Sequence, residues 1–66
     1  MREFAIYEEY SYMPNLYNEK LTMFAMDNCY TEAEVEDYVE QLNKEYEEEF
    51  DEDNEDERKK VYVEWY

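Results

Sequence analysis

Apolar and polar residues alternate with period two at the start of the chain. From Arg2 to Tyr12, Phe4, Ile6, Tyr10 and Tyr12 fall on one face and Ala5, Tyr7 and Glu9 on the other, which predicts a β-strand. Glu8 interrupts the apolar face, so either a bulge turns it outward or the strand is buried only at its two ends. Met13 to Asn18 contains Pro14, Asn15 and Asn18. The chain has no glycine, so asparagine must supply any left-handed turn position, and a hairpin loop is expected there. Lys20 to Met26 alternates again, Leu21, Met23 and Ala25 against Thr22, Phe24 and Met26, and reads as a second strand stopping at Asp27 and Asn28.

The period then changes to that of a helix. Thr31 followed three residues later by Glu34 is a capping box, and Tyr30 and Val35 have the spacing of a hydrophobic staple. Val35, Tyr38, Val39, Leu42 and Tyr46 form one apolar stripe, which Phe50 extends. Asp51 to Glu57 holds no apolar residue and is expected to be a mobile acidic linker or a frayed helix end. Arg58, Lys59 and Lys60 then lead into Val61, Val63 and Trp65, alternating with Tyr62, Glu64 and Tyr66, which predicts a third strand. The expected fold class is α+β, one domain over residues 1–66, with one helix on one face of a three-stranded antiparallel sheet. A helix crossing back over the sheet makes the third strand parallel to the second. Placing the third beside the first therefore gives strand order 2-1-3.

Length and composition bound what such a domain can do. A chain of 66 residues buries only about 60% of its unfolded surface, which leaves stability marginal. A single cysteine, Cys29, excludes an internal disulfide, and the absence of histidine removes the usual zinc ligands. Oligomerisation is the stabilising device left. Nine tyrosines, three phenylalanines and one tryptophan exceed one small core, so the tyrosines and Trp65 are expected to form the seam of a homodimer. No apolar run is long enough to span a membrane, and no basic region with an apolar core marks a secretory signal, so a cytoplasmic location is expected.

Catalytic chemistry finds little support. The chain has one serine and no histidine to activate it. Cys29 lies near Asp27 and Glu32, whose charges disfavour a thiolate, so it reads as a small structural residue ahead of the helix. Without glycine there is no phosphate-cradling loop. Asp51, Asp53 and Glu55 have the spacing that begins a calcium loop, but Asp56 stands where the loop needs glycine and Tyr62 where it needs glutamate. No enzyme activity, cofactor or dedicated metal site is expected.

Negative charge is what remains. Glu45 to Glu57 places ten carboxylates in thirteen residues, behind a helix start that carries five more, and the formal net charge is −15. A magnitude of about 2–8 suffices to keep a small domain soluble. Glu32, Glu36 and Glu40 follow one another at i, i+4, where each like-charge pair costs about 0.2–0.5 kcal/mol, and only Lys44 relieves the row. A surface that opposes its own folding points to a strongly basic partner. Nucleic acid is excluded by repulsion, whereas a protein surface built to neutralise rows of phosphates is the natural complement. The candidate partner-binding residues are Glu32, Glu36, Asp37, Glu40, Glu47, Glu48, Asp51, Glu52, Asp53, Glu55, Asp56 and Glu57. A helix from Thr31 to Phe50 is roughly 30 Å long, against roughly 34 Å for one duplex turn. Acids at i, i+4 advance about 6 Å, whereas phosphates on one strand advance about 3.4 Å. The linker acids, the sheet acids Glu3, Glu8, Glu9 and Glu64, and a twofold dimer are expected to raise the density.

With its short length, the helix T-E-A-E-V-E-D-Y-V-E, the run E-Y-E-E-E-F-D-E-D-N-E-D-E and the aromatic strands, the chain resembles the small acidic DNA-mimic proteins that bacteriophages use to block host DNA-binding proteins. The resemblance is one of overall character, since such proteins do not share one fold. It implies stoichiometric inhibition inside the host cell. A histone-like nucleoid protein such as HU is the target ranked first, ahead of restriction enzymes, CRISPR nucleases and uracil-DNA glycosylase. The alternatives are an acidic histone-chaperone-like partner that shields a basic protein without competing with DNA, and a charge-solubilised structural module.

Overall fold

The computed structural model describes residues 2–50, 53 and 58–66. Five elements follow one another: β1 (Phe4–Tyr10), β2 (Met13–Tyr17), α1 (Glu19–Asn28), α2 (Glu32–Glu49) and β3 (Lys59–Trp65). The strands form one antiparallel sheet in the order β2-β1-β3, the order expected from the pattern. Both helices pack on one face of it. Phe4 and Ile6 of β1, Val61 of β3, Ala25 of α1, the adjoining Cys29, and Val35 and Val39 of α2 make a single core, ringed by Leu21, Tyr38, Leu42, Tyr46, Val63 and Trp65. The fold is therefore α+β with a three-stranded antiparallel sheet, but with two helices rather than one.

The extra helix corrects the reading of Lys20 to Met26 as a strand. Leu21, Thr22, Ala25 and Cys29 recur at helical spacing, and this stripe, not the alternation, turns inward: Thr22 and Ala25 are buried while Met23, Phe24 and Met26 are half exposed. Asn18 starts the helix, its Oδ1 accepting the Leu21 N–H at 3.0 Å. The second strand lies earlier, in the segment expected to be a loop. β1 ends at Tyr10 rather than Tyr12, the chain turns at Ser11 and Tyr12, and Met13–Tyr17 pairs back on β1. Asparagine does supply the left-handed position, Asn15 having φ 61°. It does so inside β2, where the Tyr62 hydroxyl donates to its side-chain oxygen.

α2 begins where the capping box predicts, with Thr31 Oγ1 accepting the Glu34 N–H at 3.1 Å. The Glu34 carboxylate reaches back to the N–H of Tyr30 at 3.0 Å, one residue before the cap. The staple does not form, because Tyr30 is 79% exposed. Val35, Val39 and their flanking Tyr38, Leu42 and Tyr46 form the expected stripe, but Phe50 does not extend it, because the helix ends at Glu49 and Phe50 follows in an extended conformation.

Helix side chains complete the hydrogen bonding at both sides of the sheet. β2 is too short to cover all of β1, so the Ile6 N–H donates to Thr22 Oγ1 at 2.9 Å and the Ile6 carbonyl accepts from the N–H of Asn18 at 2.9 Å. On the opposite side the Asn43 carboxamide receives the Val61 N–H at 2.8 Å and donates to the Val61 carbonyl at 2.9 Å. These contacts hold α1 against β1 and α2 against β3 by direction as well as by apolar burial.

Glu8 is neither turned outward nor left in a gap between two buried ends. It is 7% exposed in the middle of the helix-facing side. The Lys59 ammonium lies 3.1 Å from its carboxylate, the Asn18 amide donates to the same oxygen, and the Tyr10 hydroxyl donates to the other at 3.3 Å. Burial works against the Lys59 cation, but the bond to Glu8 and the neighbouring Tyr46 and Tyr10 outweigh it, and its pKa is raised. Among the described residues every buried side-chain nitrogen and oxygen has a partner.

Candidate protein-binding surface

The buried stripe of α2 fixes where its carboxylates point. With successive residues about 100° apart around the axis, Glu32, Glu36, Glu40 and Glu47 fall on the flank from which Asn43 reaches Val61, and Asp37 and Glu48 fall on the opposite shoulder. All six are exposed. From Glu32 to Glu48 they span all but the last residue of the 18-residue helix, about 24 Å. Two of the six are engaged within the molecule: Glu40 lies 3.9 Å from Lys44, and Glu47 accepts from Arg58 at 2.6 Å, with the Arg58 guanidinium resting 5.2 Å from the Phe50 ring centre. Asp53 is exposed. Asp51, Glu52, Glu55, Asp56 and Glu57, and with them most of the expected linker 51–57, lie outside the described residues.

The surface extends beyond the residues marked in the sequence. Glu34 and Glu45 are exposed on the shoulder toward α1, and Glu19 and Asp27 of α1 add to it. Reading only Lys20 to Met26, and as a strand, hid those two, because it leaves Glu19 and Asp27 in the flanking turns rather than on a helix. Glu8 is withdrawn from the acidic surface altogether, its charge being spent on Lys59 inside the fold.

No family model, characterised protein or solved structure matches the chain.

Three other features have the outline of a site. A cavity of about 550 Å³ is lined by Glu9, Tyr10, Ser11, Pro14, Asn43, Glu47 and the basic trio Arg58, Lys59 and Lys60. Two of those cations are turned to carboxylates, Arg58 to Glu47 and Lys59 to Glu8, so the cavity is not an open anion site. Cys29 is 8% exposed at the C-terminal end of α1. Burial first and the Glu34 charge second push its thiol up, away from the reactive thiolate. The third feature is the sheet face that carries no helix. Tyr62, Tyr7 and Tyr17 stand in one cross-strand row there, Tyr7 stacked on Tyr62 with ring centres 5.5 Å apart and edge-on to Tyr17 at 5.8 Å. The Tyr7 and Tyr66 hydroxyls share a hydrogen bond of 2.9 Å. That bond, followed by burial and the nearby Tyr66 and Glu64 charges, pushes the Tyr7 phenol up to about 12.

The aromatic residues thus divide between two faces rather than forming one seam. Trp65 packs on Phe4 at 5.4 Å and Tyr38 on Phe24 at 5.3 Å, on the core side. The described residues bring together no three carboxylate or thiol groups able to hold a metal ion. Among them no helix is long and apolar enough to cross a membrane.

Proposed function

We propose that the chain is a phage-type DNA mimic that occupies the DNA-binding surface of a basic host protein, an HU-like nucleoid protein first among them, in the host cytoplasm. The observation that carries this reading is α2: its inner stripe is anchored in the core, so its exposed carboxylates are held at fixed spacing instead of trailing on a loose chain. Fixed anionic rows suit a groove shaped to receive phosphates, and 21 acidic against 6 basic residues supply attraction to such a groove at long range. The product of the encounter is a stoichiometric complex, with no turnover. At about 27 Å α2 is shorter than the roughly 34 Å of one duplex turn, so in this proposal a second copy related by a twofold axis lengthens the charged row.

Competition tests it directly. A purified HU-like protein is saturated with fluorescent duplex DNA, and the chain is titrated in while anisotropy is followed. Displacement at a fixed ratio is expected, weakening as salt rises, with Glu32→Lys, Glu36→Lys and Glu40→Lys together weakening it further. If chain and duplex bind the same protein at once and undiminished, mimicry is wrong, and a shielding role without competition takes its place. Light scattering of the free chain at working concentration tests the second copy.

A further inference from the structure

We propose that the open face of the sheet is a docking surface for arginine side chains of a basic protein segment, which stack on the Tyr62, Tyr7 and Tyr17 row while Glu9 and Glu64 accept their guanidinium hydrogen bonds. This surface lies on the side of the sheet away from the helices and does not depend on mimicry of DNA by α2.

Geometry comes first. The three rings stand side by side on adjacent strands, Tyr7 being the register partner of both Tyr17 and Tyr62. Their mutual contacts fix the rings and leave Tyr17 51% exposed. Tyr66, 64% exposed, closes one end through its bond to Tyr7. Alternation along β1 and β3 puts Glu9 and Glu64 on the same face, with Lys60 opposite Glu9 in register, all three exposed. Their charges reach the rings, since after burial they are what holds the Tyr62 phenol above its ordinary value.

Charge then selects the occupant. The face keeps an excess of acid over its one register-paired cation, Lys60, and a second copy would bring that excess against its own likeness on a chain of net charge −15. Nucleobases stack on tyrosine too, but their phosphates are repelled by the same field. A cation is drawn in. Between the two cationic side chains, arginine fits better: its weakly hydrated planar guanidinium lies flat on a ring and presents its donors in a fork to a carboxylate, whereas the lysine ammonium stays a hydrated point charge. The molecule already uses cation–ring contacts in itself, with Arg2 5.8 Å from the Trp65 ring centre, Arg58 5.2 Å from that of Phe50 and Lys59 4.6 Å from that of Tyr46. None of those three pairs lies on the open face, so the preference for arginine there rests on the fit of its fork to Glu9 and Glu64.

The test is a comparison of capped hexa-arginine and hexa-lysine peptides, equal in charge, titrated into the isotope-labelled chain at one ionic strength and followed by NMR. The arginine peptide is expected to bind more tightly by about two- to fivefold per stacked guanidinium, the range of an exposed cation–π contact, and to shift the ring protons of Tyr7, Tyr17 and Tyr62. Tyr17→Leu, at a half-exposed site, keeps the charge and the fold, checked by an unchanged Trp65 indole signal, and lowers the arginine preference without weakening the lysine peptide. Should that variant alter the indole signal, Tyr66→Leu at the more exposed position is read in the same way. Equal affinity for the two peptides overturns the proposal, as do shifts confined to α2. Tighter binding of single-stranded DNA than of hexa-arginine overturns it as well. So does movement of the tyrosine rings with protein concentration alone, which would assign the face to a second copy.

Discussion

Replacing Thr22 by valine tests how the sheet is completed by a helix. Thr22 is 1% exposed, and its hydroxyl receives the N–H of Ile6 at 2.9 Å while donating to the Asn18 carbonyl at 2.8 Å. Valine has nearly the same shape and no hydroxyl. The Asn18 carbonyl keeps the Thr22 N–H at 3.1 Å, so the group stranded is the amide of Ile6, itself fully buried. An orphaned buried donor costs about 1–3 kcal/mol, and the added methyl returns about 0.8 kcal/mol at most. The net loss is roughly 0.2–2 kcal/mol out of the roughly 3–10 kcal/mol such a chain holds, a fall in Tm of roughly 1–16 °C. Thermal denaturation followed by circular dichroism reads the loss, and hydrogen exchange locates it: the Ile6 amide alone should lose protection disproportionately. Thr22→Ser, which removes a methyl and keeps the hydroxyl, should cost about 1 kcal/mol yet leave that amide protected. A Thr22→Val variant as stable as the parent, with Ile6 still protected, would refute the assignment of Thr22 as the partner that β2 is too short to provide.

Four further outcomes follow from the same contacts. Asn43→Ala removes both bonds to the Val61 backbone and should cost about 1–3 kcal/mol, with faster exchange at the Val61 amide as its local signature. Glu8→Gln keeps the shape but leaves the Lys59 ammonium short of its charge partner; a loss of about 1–2 kcal/mol is expected, and the double variant Glu8→Gln with Lys59→Met should lose less than the sum of the two single losses, which a denaturation cycle measures. The groups with resolved shifts, Tyr7, Tyr10, Cys29, Tyr38, Lys59 and Tyr62, are all raised, so the folded state holds these protons more tightly than the unfolded chain. Their contribution is complete below the ordinary cysteine value of 9.0 and declines as pH climbs toward the Tyr7 value of about 12; a urea midpoint that rises over that window contradicts the assignment. Raising ionic strength from about 0.01 M to about 0.15 M shortens the screening length from about 30 Å to about 8 Å and should raise that midpoint at neutral pH, because a net charge of −15 strains the compact state.

The parts legible in the sequence are those where one pattern stood alone. β3 alternates cleanly and β1 does so apart from Glu8, and Thr31 with Glu34 marks the start of α2 to the residue. Lys20 to Met26 carries two patterns, and the large side chains mislead. Thr22 and Ala25 are buried while Met23, Phe24 and Met26 face out, so weighting positions by hydrophobicity favours the alternation over the helical stripe of small residues. Asn18 with Leu21 three residues on was the overlooked signal. Glu8 could not be read locally, because what makes its burial tolerable is Lys59, which follows it by most of the chain. For the surface, helical periodicity was enough to group the acids of α2. The tyrosine row is not legible in this way, since it depends on strand register across three segments, one of which carries the composition of a loop.

The inverted patterning of α1 also decides where oxidants strike. Met13, Met23 and Met26 are each about half exposed, and the core is built from phenylalanine, isoleucine, valine and alanine, with Cys29 as its only sulfur. Conversion of those thioethers to sulfoxides therefore adds polarity where water already stands, and among the described residues the core thiol, buried and held as the thiol, is the last sulfur to react. Oxidative damage rewrites the outer face of this protein before it reaches what holds the fold together.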